Sequence, residues 1–403
     1  MPDPSAPPAA SPGPNAPPAG RPRWRLSRLQ RAAFTLLMAT GVLGFAEAAG
    51  AIVWFATVPR GERTQVERML RAGAGRANEA ARFVPHPYFN FVNNPGFATG
   101  RGVRIHHPIG IRATEARLFD KPDGVFRIVA FGASTTYGYY FDDARDTWPA
   151  LLEARLRSRF GPAIEVINVA VPGHTTFEMI GIAALWLPEM RPDAVILTAG
   201  VNDAFAVGYP DEGGPDSATF RRAWSWQPPP AWKRVLLRRS HLARTLWRSW
   251  LARDGAAAGD FTAAMQHRRP PDAAIADHAA RATGKYFRRN LATLVLLIRH
   301  AGAAPVLATN PLNPARETGQ GPYYDAVSGA IRRNNDIILE TGRRAGLPVV
   351  DLYRGIRDPV LFRDAAHATA AGMSLTATLV ETGVAPLLER RPAVVTSRRP
   401  ARP

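Results

Sequence analysis

The sequence predicts an α/β fold in which a mainly parallel sheet is covered by helices, preceded by an apolar helix able to span a membrane. Three observations predict it. Short runs rich in Val, Ile and Leu recur through residues 125–389, helical stretches alternate with them, and the 28 residues from Ala32 to Pro59 hold a single charge, Glu47. Strands alternating with amphipathic helices belong to sheets buried on both faces.

Taken in order, residues 1–31 open with nine Pro among the first 22 residues, mixed with Ala, Gly, Ser and Asn. Such a composition buries too little apolar surface to offset the entropy of ordering, so the segment reads as a disordered cytoplasmic tail. Residues 32–59 read as a transmembrane anchor, since about 20 apolar residues cross the hydrocarbon core as a helix. Two other readings exist: a cleaved signal peptide, with Ala46-Glu47-Ala48 as the small-x-small site, and a buried core helix. The run through Ile52, Val53, Trp54 and Phe55 favours the span. Glu47 would cost roughly 2.5 to 3.5 kcal/mol in the membrane if ionised, so it must be protonated or face a partner. Five Arg flank each end (Arg21, Arg23, Arg25, Arg28 and Arg31 before; Arg60, Arg63, Arg68, Arg71 and Arg76 after), so the positive-inside rule ties. A short tail beside a first helix usually stays cytoplasmic, which places the globular part outside.

Residues 60–124 form a lead-in segment in which His106-His107 reads as a solvated loop, since no carboxylate or further His stands at metal-ligand spacing. Within the domain at 125–389, strand runs lie at 126–131, 164–169, 194–198, 305–309 and 347–351. Helices are expected at 148–159, 177–187, 286–300 and 324–345. An insertion at about 208–285 holds Trp224, Trp226, Trp232, Trp247 and Trp250 and has no acid from 220 to 253. Its residues 231–252 read as one helix mixing Trp with Arg, either lying on anionic lipid or serving as a lid with its Trp residues packed on the domain. Residues 390–403 read as a disordered basic tail.

The formal charge of +18 is concentrated in three places, with +4 in residues 1–31, +9 in 220–253 and +5 in 390–403. The rest of the chain is neutral, which argues against a nucleic-acid partner. With no Cys, the chain excludes a disulfide scaffold, a thiolate metal site and a cysteine nucleophile.

Ligands of parallel sheets sit beyond the carboxyl ends of strands. The strand ends read Gly132-Ala133-Ser134-Thr135, Val171-Pro172-Gly173 and Gly200-Val201-Asn202-Asp203, and Asp364-Ala365-Ala366-His367 follows late in the chain. Taken alone, Ser134 is an ordinary helix cap, Gly173 a Pro-Gly turn, Asn202-Asp203 an Asx-turn and Asp364–His367 a surface pair. His174 could touch substrate or sit on the surface. In this order the four blocks resemble the SGNH (GDSL-like) hydrolase family over roughly residues 125–385. The resemblance implies a flavodoxin-like three-layer α/β/α sandwich (the SGNH hydrolase fold) and serine-dependent cleavage of acyl esters. It assigns Ser134 as nucleophile, His367 as base, Asp364 as its orienting carboxylate, and Ser134 N–H, Gly173 N–H and the Asn202 amide as oxyanion donors. Ala133 stands where the family usually has Asp, which leaves the triad intact and alters the turn. No metal or organic cofactor is implied. The substrate expected is an acyl ester, of cell-envelope glycans or lipids by the placement of the anchor. O-acyl transfer on the same scaffold and a non-catalytic glycan- or protein-binding module are the alternatives.

Overall fold

The computed structural model describes residues 27–58, 82–86, 88–99, 102–112, 118–208, 231–254 and 272–390, with Arg63 and Glu67 besides. The Pro-rich tail, the C-terminal basic tail, Trp224 and Trp226 lie outside the described residues.

Helix α1, Arg28–Thr57, starts at a capping box: Ser27 Oγ accepts from Gln30 N, and the Gln30 side chain accepts from Ser27 N. It is long and apolar enough to cross a membrane, and 6% of its apolar window is buried. The last helix of the domain passes the same test of length and composition, but 44% of its window is buried, as expected of a core helix.

A hairpin of β1, Phe83–His86, and β2, Asn90–Asn93, leads into the domain. The sheet follows: β3, Phe126–Phe131; β4, Ile164–Asn168; β5, Ala194–Thr198; β6, Ala304–Ala308; and β7, Val349–Val350. All pairings are parallel and the order is β4-β3-β5-β6-β7. The chain runs from β3 outward to β4 and then returns to the other side of β3 at β5. That reversal opens a crevice at the carboxyl ends of β3 and β5, where such sheets bind ligands.

Period-two alternation sends neighbouring side chains to opposite faces. Val129 and Phe131 of β3 join Val195 and Leu197 against α4, Thr176–Met190, α8, Lys285–His300, and α9, Pro322–Ala345. Ile128 and Ala130 join Ile196 and Val306 against α3, Trp148–Phe160, and α11, Ala370–Glu389. These are the three layers expected from the sequence. The short helices α2, Ser134–Tyr137, and α10, Leu352–Gly355, follow β3 and β7, and α7, Asp272–Arg281, packs on α9.

The single helix expected over 231–252 is corrected to two, α5, Ala231–Arg239, and α6, His241–Asp254, meeting at Ser240. Both ends at the break are satisfied by side chains. Arg244 donates to the carbonyls of Leu237 and Arg238 at the end of α5, while Ser240 Oγ accepts from Ala243 N at the start of α6.

The lead-in is part of the domain floor. Arg112, fully buried, donates to the carbonyls of Tyr137, Ile105 and Phe141. His106 is no solvated loop residue: its ring bridges the Asn94 carbonyl and the Tyr137 hydroxyl at 2.7 and 2.6 Å and is 5% exposed. Burial is the main cause that pushes its pKa down, to about 3, so the imidazole is neutral.

Candidate active site

Ser134 is the first residue of α2, reached through Gly132 and Ala133 directly from β3. Gly132 is required by close approach: a Cβ there would lie 2.1 Å from Thr136 Oγ1 and 2.4 Å from Thr198 Oγ1. The Thr136 and Thr198 hydroxyls bond each other and Thr198 donates to the Phe131 carbonyl, which ties the turn to β5. From below, Arg112 and Asn168 donate to the carbonyls of Tyr137 and Thr136, so α2 is held on two sides.

His367 and Asp364 lie in the loop before α11, closed by the isolated bridge between Phe362 and Ala368 and by Asn313, which donates to the Asp364 carbonyl. Gly372 stands where a Cβ would meet the Leu361 carbonyl at 2.4 Å, so the first turn of α11 presses on this loop.

The structure brings these three residues together. His367 Nε2 is 2.8 Å from Ser134 Oγ, and His367 Nδ1 is 2.7 Å from Asp364 Oδ2. Asp364 Oδ1 accepts from the backbone N–H of Ala366 and His367. Burial pushes the Asp364 pKa up, but the His367 side chain and these backbone donors outweigh it and hold the carboxyl well below the ordinary carboxylate range. An ionised carboxylate only accepts, so Nδ1 carries a hydrogen and Nε2 is left to accept from the serine hydroxyl.

Gly173 follows β4 with φ 87°, the left-handed region that a residue without Cβ enters freely. Asn202, 6% exposed, follows β5 and spends one amide hydrogen on the His174 carbonyl at 2.9 Å, linking the second and third blocks. Asp203 accepts from the backbone N–H and hydroxyl of Thr176 at the start of α4. His174 is neither a surface nor a substrate-facing residue by its bonding: it is 1% exposed, with Nε2 bonded to the Phe91 carbonyl of the lead-in hairpin.

One residue escaped the sequence reading. Tyr140 donates its hydroxyl to Asp364 Oδ2 at 2.9 Å, and its ring stands edge-on to His367 at 5.3 Å. Burial and the bond to Asp364 raise the phenol pKa to about 12, so it stays a donor. Only its adjacency to Tyr139 after the serine block could have drawn attention, since its partner lies 224 residues away.

A family model described as the GDSL-like lipase/acylhydrolase family matches residues 130–375. The chain belongs to that family. It is therefore an ester hydrolase by family, and the match covers the serine block at one end and the Asp364–His367 loop at the other. No curated protein matches. Among solved structures, the chain is similar to the lipase/acylhydrolase from Enterococcus faecalis, at 20% identity over 67% of this chain and 100% of that one, with a TM-score of 0.40. A member of the lipolytic protein G-D-S-L family from Veillonella parvula is 12% identical over 66% of this chain and 100% of its own, with a TM-score of 0.39. The acetyl xylan esterase AlAXEase is 14% identical over 64% and 100%, with a TM-score of 0.39.

Proposed function

We propose that the protein is a membrane-anchored serine esterase in which Ser134, His367 and Asp364 act as a catalytic triad. The observation that carries the proposal is the unbroken chain of hydrogen bonds from Ser134 Oγ through the imidazole to Asp364, across 233 residues of sequence. A free serine hydroxyl is a poor nucleophile and needs a base in contact. His367 Nε2 takes the hydroxyl proton as Oγ attacks the ester carbonyl, and the imidazolium is stabilised by Asp364. The tetrahedral oxyanion is received by the backbone N–H of Ser134 and Gly173 and by the second amide hydrogen of Asn202, with each donor worth roughly 2.7 to 4 kcal/mol. Collapse expels the alcohol with the proton from Nε2 and leaves an acyl group on Ser134. Water, deprotonated by His367, then releases the acid and regenerates the hydroxyl.

Helix α1 serves in this proposal as the anchor, and the substrates are acyl esters carried on glycans or lipids of the cell envelope. The test is turnover of short-chain aryl esters by the full chain in detergent. The wild-type protein should hydrolyse them, and Ser134→Ala and His367→Ala should each lose activity by at least 10³-fold, since removing a triad member leaves only the oxyanion donors and binding. Undiminished hydrolysis by Ser134→Ala would sink the assignment.

A further inference from the structure

Exposure divides α1 into two parts. Every residue from Ser27 to Phe45 is exposed, and the outward side chains include Phe34, Leu36, Leu37, Val42, Leu43 and Phe45. At 1.5 Å per residue this stretch is about 28 Å long, close to the hydrocarbon thickness of a bilayer. From Ala46 onward one face of the helix is instead covered by α6. Gly50 meets Leu242 so closely that a Cβ would lie 2.5 Å from its Cα, and Thr245 donates to the Gly50 carbonyl at 3.1 Å. Trp54, 1% exposed, lies beneath the Arg244 guanidinium at 5.9 Å, and the Phe55 ring is 5.4 Å from His241.

At the centre of this contact is Glu47, the one charge of the apolar segment. Its carboxylate accepts from Ser240 Oγ at 2.6 Å and from the backbone N–H of His241 and Leu242. These are the first N–H groups of α6, which have no partner inside their own helix. Favourable charge at a helix N-terminus is negative, so Glu47 supplies both the acceptor and the sign.

The hairpin α5–α6 carries Lys233, Arg234, Arg238, Arg239, Arg244, Arg248 and Arg253, with no acid before Asp254. Trp232, Val235, Leu236 and Leu246 are exposed on it, so the hairpin presents apolar and cationic groups together. Such helices lie at the level of lipid headgroups, with stems and rings in the acyl boundary and charges at the phosphates.

We propose that α1 is a two-part anchor: residues 27–45 cross the bilayer, and residues 46–58 form a stem on which the α5–α6 hairpin docks through Glu47, to lie against the headgroups of an anionic leaflet. Glu47 then sits at the membrane boundary with its charge matched, which removes the cost of an acid at mid-membrane. Cleavage after Ala48 would strip α6 of this cap, so the anchor is retained. The inference rests on α1 as a span and is independent of the ester chemistry.

The chain has no Cys, so single probes are simple to place. Val42→Cys and Leu246→Cys, each labelled with an environment-sensitive fluorophore in the full chain, are reconstituted into liposomes containing anionic phosphatidylglycerol. Nitroxide lipids labelled near the headgroup or deep in the chain then quench the probe. The probe at 246 should be quenched at least twofold more by the shallow label, and the probe at 42 by the deep one. No quenching at 42 overturns the span; quenching at 42 with none at 246 overturns the docked hairpin alone. Glu47→Ala should at least halve shallow quenching at 246 while aryl ester turnover, the check on folding, stays unchanged, and Glu47→Gln, which keeps an acceptor oxygen, should restore part of it. Equal quenching in Glu47→Ala and wild type overturns the docking role of Glu47.

Discussion

Replacing Tyr140 by Phe deletes one hydrogen bond and keeps the ring beside His367. The phenol and His367 Nδ1 share one oxygen of Asp364, Oδ2, at 2.9 and 2.7 Å. Hydrogen bonds to charged groups are worth roughly 1.5 to 3 kcal/mol. Tyr140 is 46% exposed, so water takes over part of that bond, and we take about 1 kcal/mol as the loss. If it is felt mainly in the alignment of the imidazole, kcat/KM falls about fivefold. The direction of the pH effect follows from the same oxygen. Without the phenol, the negative charge on Oδ2 is offered to His367 alone, which favours the protonated imidazole, so the acidic limb of the kcat/KM profile moves to higher pH. The assay is aryl ester turnover from pH 5 to 9, within which the phenol, with its pKa near 12, does not titrate. Tyr140→Ala, which also removes the ring, should lose more. An unchanged limb together with unchanged kcat/KM in Tyr140→Phe would refute the reasoning.

Three further outcomes follow from the geometry. Asn202→Ala should lower kcat by about 10² to 10³ with little change in KM, because the amide acts on the oxyanion rather than the bound ester; a pure KM effect would contradict this. Arg112→Met leaves the buried carbonyls of Tyr137, Ile105 and Phe141 without their donors. At about 1 to 3 kcal/mol per group, partly relieved by relaxation, the domain should lose roughly 3 to 5 kcal/mol, or about 10 °C in melting temperature by scanning calorimetry. His106 has a folded pKa depressed to about 3 from 6.5, so the unfolded chain takes up a proton that the folded one refuses. That contribution is full above pH 6.5 and is lost as pH falls towards 3, about 2 kcal/mol of it by pH 5. Chemical denaturation at pH 6.5 and 5 should show the loss in wild type and a smaller one in His106→Phe.

The layered sheet was legible because its determinants are local. Each strand is a short buried apolar run, as in Ala194–Thr198, and each helix lies within a residue or two of its expected span, as with Trp148–Phe160. The site was legible through the order of its four blocks, not through any one of them. What escaped depends on contacts distant in sequence. Ser240 carries no Gly or Pro to mark a helix break, and the break is stabilised by Glu47, 193 residues earlier. His106 and His174 look like polar loop residues until the lead-in folds under α2 and supplies Tyr137 and Phe91 as their partners. Glu47 was read as needing a partner, though the sequence does not say which one.

The account stands most directly on the reactivity of one hydroxyl. Treating the full chain with an aryl phosphonate and locating the adduct by peptide mass spectrometry should give one label per chain, on Ser134, formed in step with loss of esterase activity and abolished in His367→Ala. An active protein whose inhibition tracks a label on any other residue, or that stays active with Ser134 fully modified, would contradict the account.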